Sequence, residues 1–71
     1  MSLVIETYEK GKIYVELLWD KYAPHYHVKV LRVNDSRELC QCIKDLTYCD
    51  IDKARESFRR QRAKVKKGEI A

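Results

Sequence analysis

Apolar residues recur at intervals of three and four between Asp50 and Gly68, which predicts one amphipathic helix at the C-terminal end of the chain. Asp50 is suited to cap its first turn, and Gly68 is suited to the left-handed backbone that ends many helices. We therefore expect a helix over residues 50–67, followed by a short tail, residues 68–71. The inward stripe consists of Ile51, Ala54, Phe58, Gln61 and Val65.

Alternating apolar and polar residues predict strands in the first 49 residues. Three segments carry this pattern: Leu3–Tyr8, Lys12–Asp20 and His25–Val33. Residues 38–48 fit two interpretations. A strand places Cys40 and Cys42 on one face, whereas a helix places Cys42 and Leu46 on one stripe, and we favour the strand.

The first two strands predict a hairpin with a three-residue loop, residues 9–11, whose last residue is a glycine. In that register Tyr8 pairs with Lys12, and Ile5 pairs with Val15. A two-residue loop would put Ile5 opposite Glu16 and mix apolar with polar residues, so we prefer the three-residue loop, in which one face becomes almost wholly apolar. That face consists of Leu3, Ile5, Thr7, Ile13, Val15, Leu17 and Trp19.

These elements predict an α+β fold, an antiparallel meander of three to four strands with one C-terminal helix packed across one face (two layers, β-β-β-β-α). Residues 1–49 form the sheet, and the whole chain forms a single small domain. The expected core consists of Ile5, Val15, Leu17, Trp19, Val28, Val30, Cys42, Leu46, Ile51, Ala54 and Phe58.

Charge is distributed unevenly along the chain, whose formal net charge is +4. Residues 1–52 contain seven basic and nine acidic residues, a net charge of −2. Residues 53–71 contain eight basic and two acidic residues, a net charge of +6. The predicted helix is therefore the basic end of a mildly acidic body, which predicts contact with nucleic-acid phosphates. The candidate residues are Arg55, Arg59, Arg60, Arg62, Lys64, Lys66 and Lys67.

The sheet face away from the helix predicts a second kind of binding. It is apolar and aromatic for a face with no cover, and such patches usually mark an interface. The alternative function is therefore a protein-interaction module, a homodimer joined through this face, with no nucleic-acid role. The candidate interface residues are Tyr14, Leu18, Leu31, Val33 and Ile43, and Val4, Tyr8 and His27 are expected on the same face.

Catalytic and metal-binding patterns are weak in this sequence. The chain has no glycine-rich phosphate loop, and its Cys and His spacings are not those of zinc fingers or ribbons. We expect no enzyme activity, no metal, no cofactor and no small-molecule substrate. Cys40 and Cys42 are expected to be buried apolar residues beneath the helix, and His25 and His27 to face outward.

Hydropathy and cysteine content indicate where in the cell the protein is expected. No apolar run approaches the ~20 residues of a membrane span, and no basic segment precedes a shorter apolar run. The odd number of cysteines, three, favours a reducing compartment over a disulfide framework. We therefore expect a cytoplasmic protein with no membrane partner.

The order of three or four strands before one helix, which opens with YCDIDKARESF, resembles the arm-type DNA-binding domains of phage and transposon integrases. The resemblance is topological and covers most of the chain. It implies DNA recognition through the open sheet face. The expected outer face here has Glu6, Glu16 and Leu18, with Lys12 and Lys29 as its basic residues, so no functional residue is carried over.

Overall fold

The computed structural model describes residues 2–70, which form a four-stranded antiparallel sheet with one helix on one face. Each strand pairs with the next one along the chain. This arrangement confirms the predicted two-layer α+β fold. Residues 1 and 71, the ends of the predicted domain and tail, lie outside the described residues. The elements are β1 (Ser2–Lys10), β2 (Ile13–Asp20), β3 (Tyr26–Val33), β4 (Leu39–Tyr48) and α1 (Ile51–Lys66).

The β1–β2 hairpin has a different register from the predicted one. Lys10 pairs with Ile13, and Tyr8 pairs with Val15 instead of Lys12. The turn therefore has two residues, and its first one, Gly11, has a φ of +61°. A glycine with positive φ at that position is typical of type II′ turns, whose twist matches that of the strands. The three-residue loop prediction is wrong because the glycine begins the turn instead of ending it.

The changed register turns over most of β1, because a shift by an odd number of residues exchanges the two faces. Tyr8 packs against the core beneath the helix, and Glu6 contacts Arg62 of α1. Both residues were expected on the outer face, and that prediction is wrong. A bulge between Val4 and Glu6 adds one residue, and Ile5, expected in the core, is 39% exposed.

Residues 39–48 form a strand, so the preferred interpretation of this segment is confirmed and the helical one is wrong. The pairing of β4 with β3 shifts at two points, once near the middle of β4 and once near its start. Each shift adds a residue to β4 and interrupts the alternation of its side chains. β4 is therefore an irregular edge strand.

Three predictions for β4 are wrong because of its bulges. Cys40 and Cys42 are exposed rather than buried, and Cys42 lies opposite Leu31. Ile43, expected on the outer face, packs against the core on the helix side. The sequence argument assumed strict alternation along this strand, which an inserted residue breaks.

The core lies between α1 and the two central strands. Of the predicted core residues, Trp19, Leu46 and Ile51 are only partly buried. Six are confirmed as buried: Val15, Leu17, Val28, Val30, Ala54 and Phe58. The core is completed by Ile13 and Val65, whose inward facing is also predicted.

Both ends of α1 carry the predicted caps. The Asp50 side chain accepts a hydrogen bond from the backbone N–H of Asp52 at 2.8 Å. At the other end Gly68 has a φ of +78°, and the N–H of Glu69 donates to the carbonyl of Lys64 at 2.9 Å. These bonds satisfy backbone groups that a helix end leaves unpaired, so α1 is ordered to its last basic turn. Within residues 2–70, no helix combines the length and apolar composition needed to span a bilayer.

Candidate nucleic-acid interface

The rotation of α1 on the sheet decides which of its cations reach solvent. Its buried side includes two polar residues as well as the apolar stripe. Ser57 accepts a hydrogen bond from the Tyr48 hydroxyl at 2.8 Å, and Gln61 accepts one from Lys44 at 3.5 Å. Since a different rotation would leave these buried polar groups unpaired, the hydrogen bonds help to fix the exposed face of the helix.

Ala63 lies on the exposed side of α1 and is surrounded by basic residues. Side chains three and four residues away are its neighbours on a helix surface. All four of these positions are basic and all four side chains are exposed. We call these neighbours the basic patch: Arg59, Arg60, Lys66 and Lys67. Because alanine is small, a phosphate can approach the centre of the patch closely.

The basic patch is only partly neutralised within the protein. Arg60 contacts Glu56 at 3.3 Å, and the Lys66 ammonium lies 5.7 Å from the centre of the Tyr8 ring. Arg59 and Lys67 have no side-chain partner among residues 2–70. Two of the four cations are therefore left for an external anion.

The other predicted phosphate contacts lie outside the patch. Arg55 is exposed one turn before Arg59, and Lys64 is partly buried on another side of the helix. Arg62 contacts Glu6 at 3.5 Å and stacks near the Phe58 ring. The structure thus brings four of the seven predicted residues together and neutralises one of the remaining three.

The predicted interface residues do not form one exposed surface, because Ile43 lies on the helix side and Leu18 is nearly buried. Tyr14, Leu31 and Val33 lie partly buried on the outer face, but Leu18 is only 9% exposed. Leu18 therefore contributes little contact area to a partner. Tyr14, Leu31 and Val33 line a shallow depression of about 320 Å³, together with Glu9, Glu16, Arg37 and Leu39.

A polar row divides the outer face into two parts. Thr7, Glu16, Lys29 and Asp45 lie directly opposite one another on β1, β2, β3 and β4. Side chains opposite each other in a sheet lie on the same face. The outer apolar residues are therefore not contiguous, and the depression occupies only one of the two parts.

The histidines and cysteines do not assemble into a metal centre within residues 2–70, where no group of three potential ligands is found. The His25 ring lies 3.0 Å from the backbone carbonyl oxygen of Asp20. The His27 ring lies 3.6 Å from the Asp45 carboxylate. A hydrogen bond from the backbone N–H of Tyr22 is the main cause that lowers the pKa of Asp20.

Comparison of the chain with protein-family models, curated proteins and solved structures gives no match. Function therefore has to be argued from the residues themselves. The sequence prediction does not include Ala63. The signal for it is that basic residues occupy the positions three and four residues before and after it in the sequence. By contrast, the contact between Arg62 and Glu6 depends on the register of β1 and has no sequence signal.

Proposed function

We propose that the protein is a non-enzymatic accessory protein that binds nucleic-acid phosphates through the basic patch of α1. The observation that carries this proposal is the position of Ala63, an exposed small residue with four exposed cations around it. Phosphate contacts need clustered lysines and arginines and no particular base sequence. Binding is therefore weakly dependent on sequence.

Salt dependence gives this proposal a quantitative form. Each phosphate contact releases condensed counterions, so affinity falls as salt concentration rises. Two to four contacts to duplex DNA predict a slope of about −2 to −4 in a plot of log affinity against log salt. The dissociation constant expected for such non-specific binding is on the order of 10⁻⁴–10⁻⁶ M.

The experiment is a fluorescence-anisotropy titration of labelled duplex and single-stranded oligonucleotides at low salt. Ala63→Glu places a carboxylate at the centre of the patch and is expected to weaken binding at least about ten-fold. Ala63→Gln is the matched control, because it adds nearly the same volume without charge and should therefore weaken binding much less than Ala63→Glu does. Lys21→Ala removes a cation from a distant loop and should also leave binding unchanged.

Two results would contradict the proposal. One is no binding of either oligonucleotide at roughly 100 µM protein in low salt. The other is equal loss of affinity in Ala63→Gln and Ala63→Glu, because that would assign the effect to shape instead of charge.

A second function, self-association through the outer face, is supported by the depression next to Leu31. Its apolar lining includes Leu39, which is 62% exposed. In this alternative, α1 only keeps the assembly soluble. Leu31→Lys should then abolish self-association in light scattering, and an unchanged mass distribution would argue against it.

The cytoplasmic location expected from the sequence belongs to the same proposal. Its support is the exposure of three free thiols, Cys40, Cys42 and Cys49. Exposed free thiols persist best where cellular reductants keep them reduced.

A further inference from the structure

Residues 37–45 comprise the end of the turn before β4 and the first part of β4. Their sequence has the same chemical pattern when it is read in either direction. The segment reads Arg-Glu-Leu-Cys-Gln-Cys-Ile-Lys-Asp, with Gln41 at its centre. Each residue before the centre matches a residue equally far behind it, either by opposite charge or by the same chemical class. An antiparallel pair of two such segments is therefore complementary to itself.

This segment lies at a free edge of the sheet. Within residues 2–70, β4 is the last strand in the sheet order and pairs only with β3. Leu39 is 62% exposed, and Cys40, Gln41 and Cys42 are exposed as well. Such an edge offers unpaired backbone groups to another strand.

We propose that β4 pairs with β4 of a second copy of this chain, antiparallel and about a two-fold axis at Gln41. In a two-fold interface each contact occurs twice, with the roles of the two copies exchanged. Two contacts define the interface: Glu38 with the partner's Lys44, and Cys40 with the partner's Cys42. Leu39 and Ile43 lie on opposite faces of the sheet, so they do not face each other across the interface.

Only this register matches the charges. Centring the pair on Cys42 would put Leu39 opposite the partner's Asp45. Centring it on Cys40 would put Glu38 opposite the partner's Cys42. Opposite charges facing each other across strands are favourable, whereas a charge facing an apolar side chain gains nothing. The register is therefore specified by the sequence of the edge itself.

The two charged residues of the outer contact, Glu38 and Lys44, are available. The Glu38 carboxylate has no partner among residues 2–70, and the Lys44 ammonium makes only a 3.5 Å contact with Gln61. The bulges of β4 limit the length of the new ladder, since bulges bend an edge strand. The dimer is therefore weak and depends on protein concentration.

This dimer has a direct consequence for the helices. A two-fold axis perpendicular to the sheet gives one continuous eight-stranded sheet with both helices on the same side. Each α1 lies mainly over β2 and β3, so the two helix axes would be about four strand spacings, or roughly 19 Å, apart. The two basic patches would then face the same direction.

Disulfide trapping tests the register. Opposed residues in an antiparallel pair have Cα atoms ~4.5–5.5 Å apart, within the range that a disulfide accepts. Diamide, an oxidant, takes the two thiol hydrogens as the sulfur–sulfur bond forms. All proteins in this experiment carry Cys49→Ser, so that only the two edge cysteines can react.

Cys40→Ser and Cys42→Ser each remove one member of both cross-strand pairs, and neither variant alone should form a cross-linked dimer. Mixing the two variants restores one pair, so a cross-linked heterodimer should appear. Absence of the heterodimer in the mixture, or equal cross-linking of each variant alone, would overturn the proposed register.

Charge reversal tests the interface without oxidation. Glu38→Lys and Lys44→Glu each place like charges opposite one another twice per dimer, and should raise the dimer dissociation constant about ten-fold. The double variant restores the attraction and should recover the parent value in sedimentation velocity. Lys21→Glu, a charge reversal in the exposed loop between β2 and β3, should leave this dimer unchanged. A monomer at millimolar concentration, or a double variant no better than the single ones, would refute the proposal.

Discussion

The two central strands and the two edge strands contribute differently to this domain. Leu17 and Val28, in β2 and β3, are completely buried beneath α1. Leu3 in β1 and Leu39 in β4 are 57% and 62% exposed. Both edge strands also carry bulges, whereas the β2–β3 pairing has none. Stability is therefore concentrated in the centre, and the edges remain open to partners.

The largest expected effect is that of Phe58→Ala. Phe58 is 1% exposed and packs over the central strands, and truncation of a buried phenylalanine costs about 3–5 kcal/mol. In a chain of this length a single hydrophobic core rarely supplies more than about 3–5 kcal/mol of stability. Thermal melts should show a largely unfolded variant. A parent-like melting temperature would mean that α1 does not pack on the centre of the sheet.

Leucine truncation compares the centre with an edge through the same chemical change. Leu17→Ala is expected to lower the free energy of unfolding by about 2–5 kcal/mol, because it leaves a cavity in a closed core. Leu3→Ala should change it by less than ~0.5 kcal/mol, because Leu3 is mostly in water already. Urea unfolding of both variants measures the difference. Equal effects would contradict the contrast between centre and edge.

Tyr48→Phe measures the contribution of the 2.8 Å hydrogen bond between β4 and the helix. Removing the hydroxyl leaves buried Ser57 without its 2.8 Å hydrogen bond, at a cost of about 1–2 kcal/mol. Tyr22→Phe is the matched control, since Tyr22 is 68% exposed and should tolerate the change. If the two variants melt alike, this bond adds nothing to the attachment of α1 to the edge.

The smallest expected effect is that of Arg59→Ala. Arg59 is exposed and adjacent to Phe58 in sequence, but it points away from the core. Its removal should change the free energy of unfolding by less than ~0.5 kcal/mol while weakening oligonucleotide binding. Unfolding and binding titrations on one preparation separate the two properties. A large loss of stability would show that the basic patch is part of the packing.

The contrast between the central and the edge strands explains how much of the structure is predictable from sequence. The facing of Val15, Val28 and Phe58 follows from periodicity, because residues between two layers have no alternative environment. Ile5 and Cys42 face water because bulges displace them, and a bulge at an edge leaves no strong trace in the hydrophobic pattern.

In the candidate site, too, the features that depend on periodicity are predictable and those that depend on strand register are not. Exposure of Arg59 and Lys67 is predictable, since it depends only on the rotation of one helix. The neutralisation of Arg62 is not predictable, because it depends on the register of β1, four elements earlier in the chain. The hairpin register itself depends on which turn position Gly11 takes, and both a two-residue and a three-residue loop can place a glycine at positive φ.

The short connection between β4 and α1 has a kinetic consequence. Only Cys49 and Asp50 join the two elements, and Asp50 is held by its bond to the first turn of the helix. The helix cannot swing away from the sheet without exposing Ala54, Phe58 and Val65, so it meets a partner as a rigid body. Association should therefore be a single diffusional step with no folding phase, with a rate that charge attraction raises and added salt lowers.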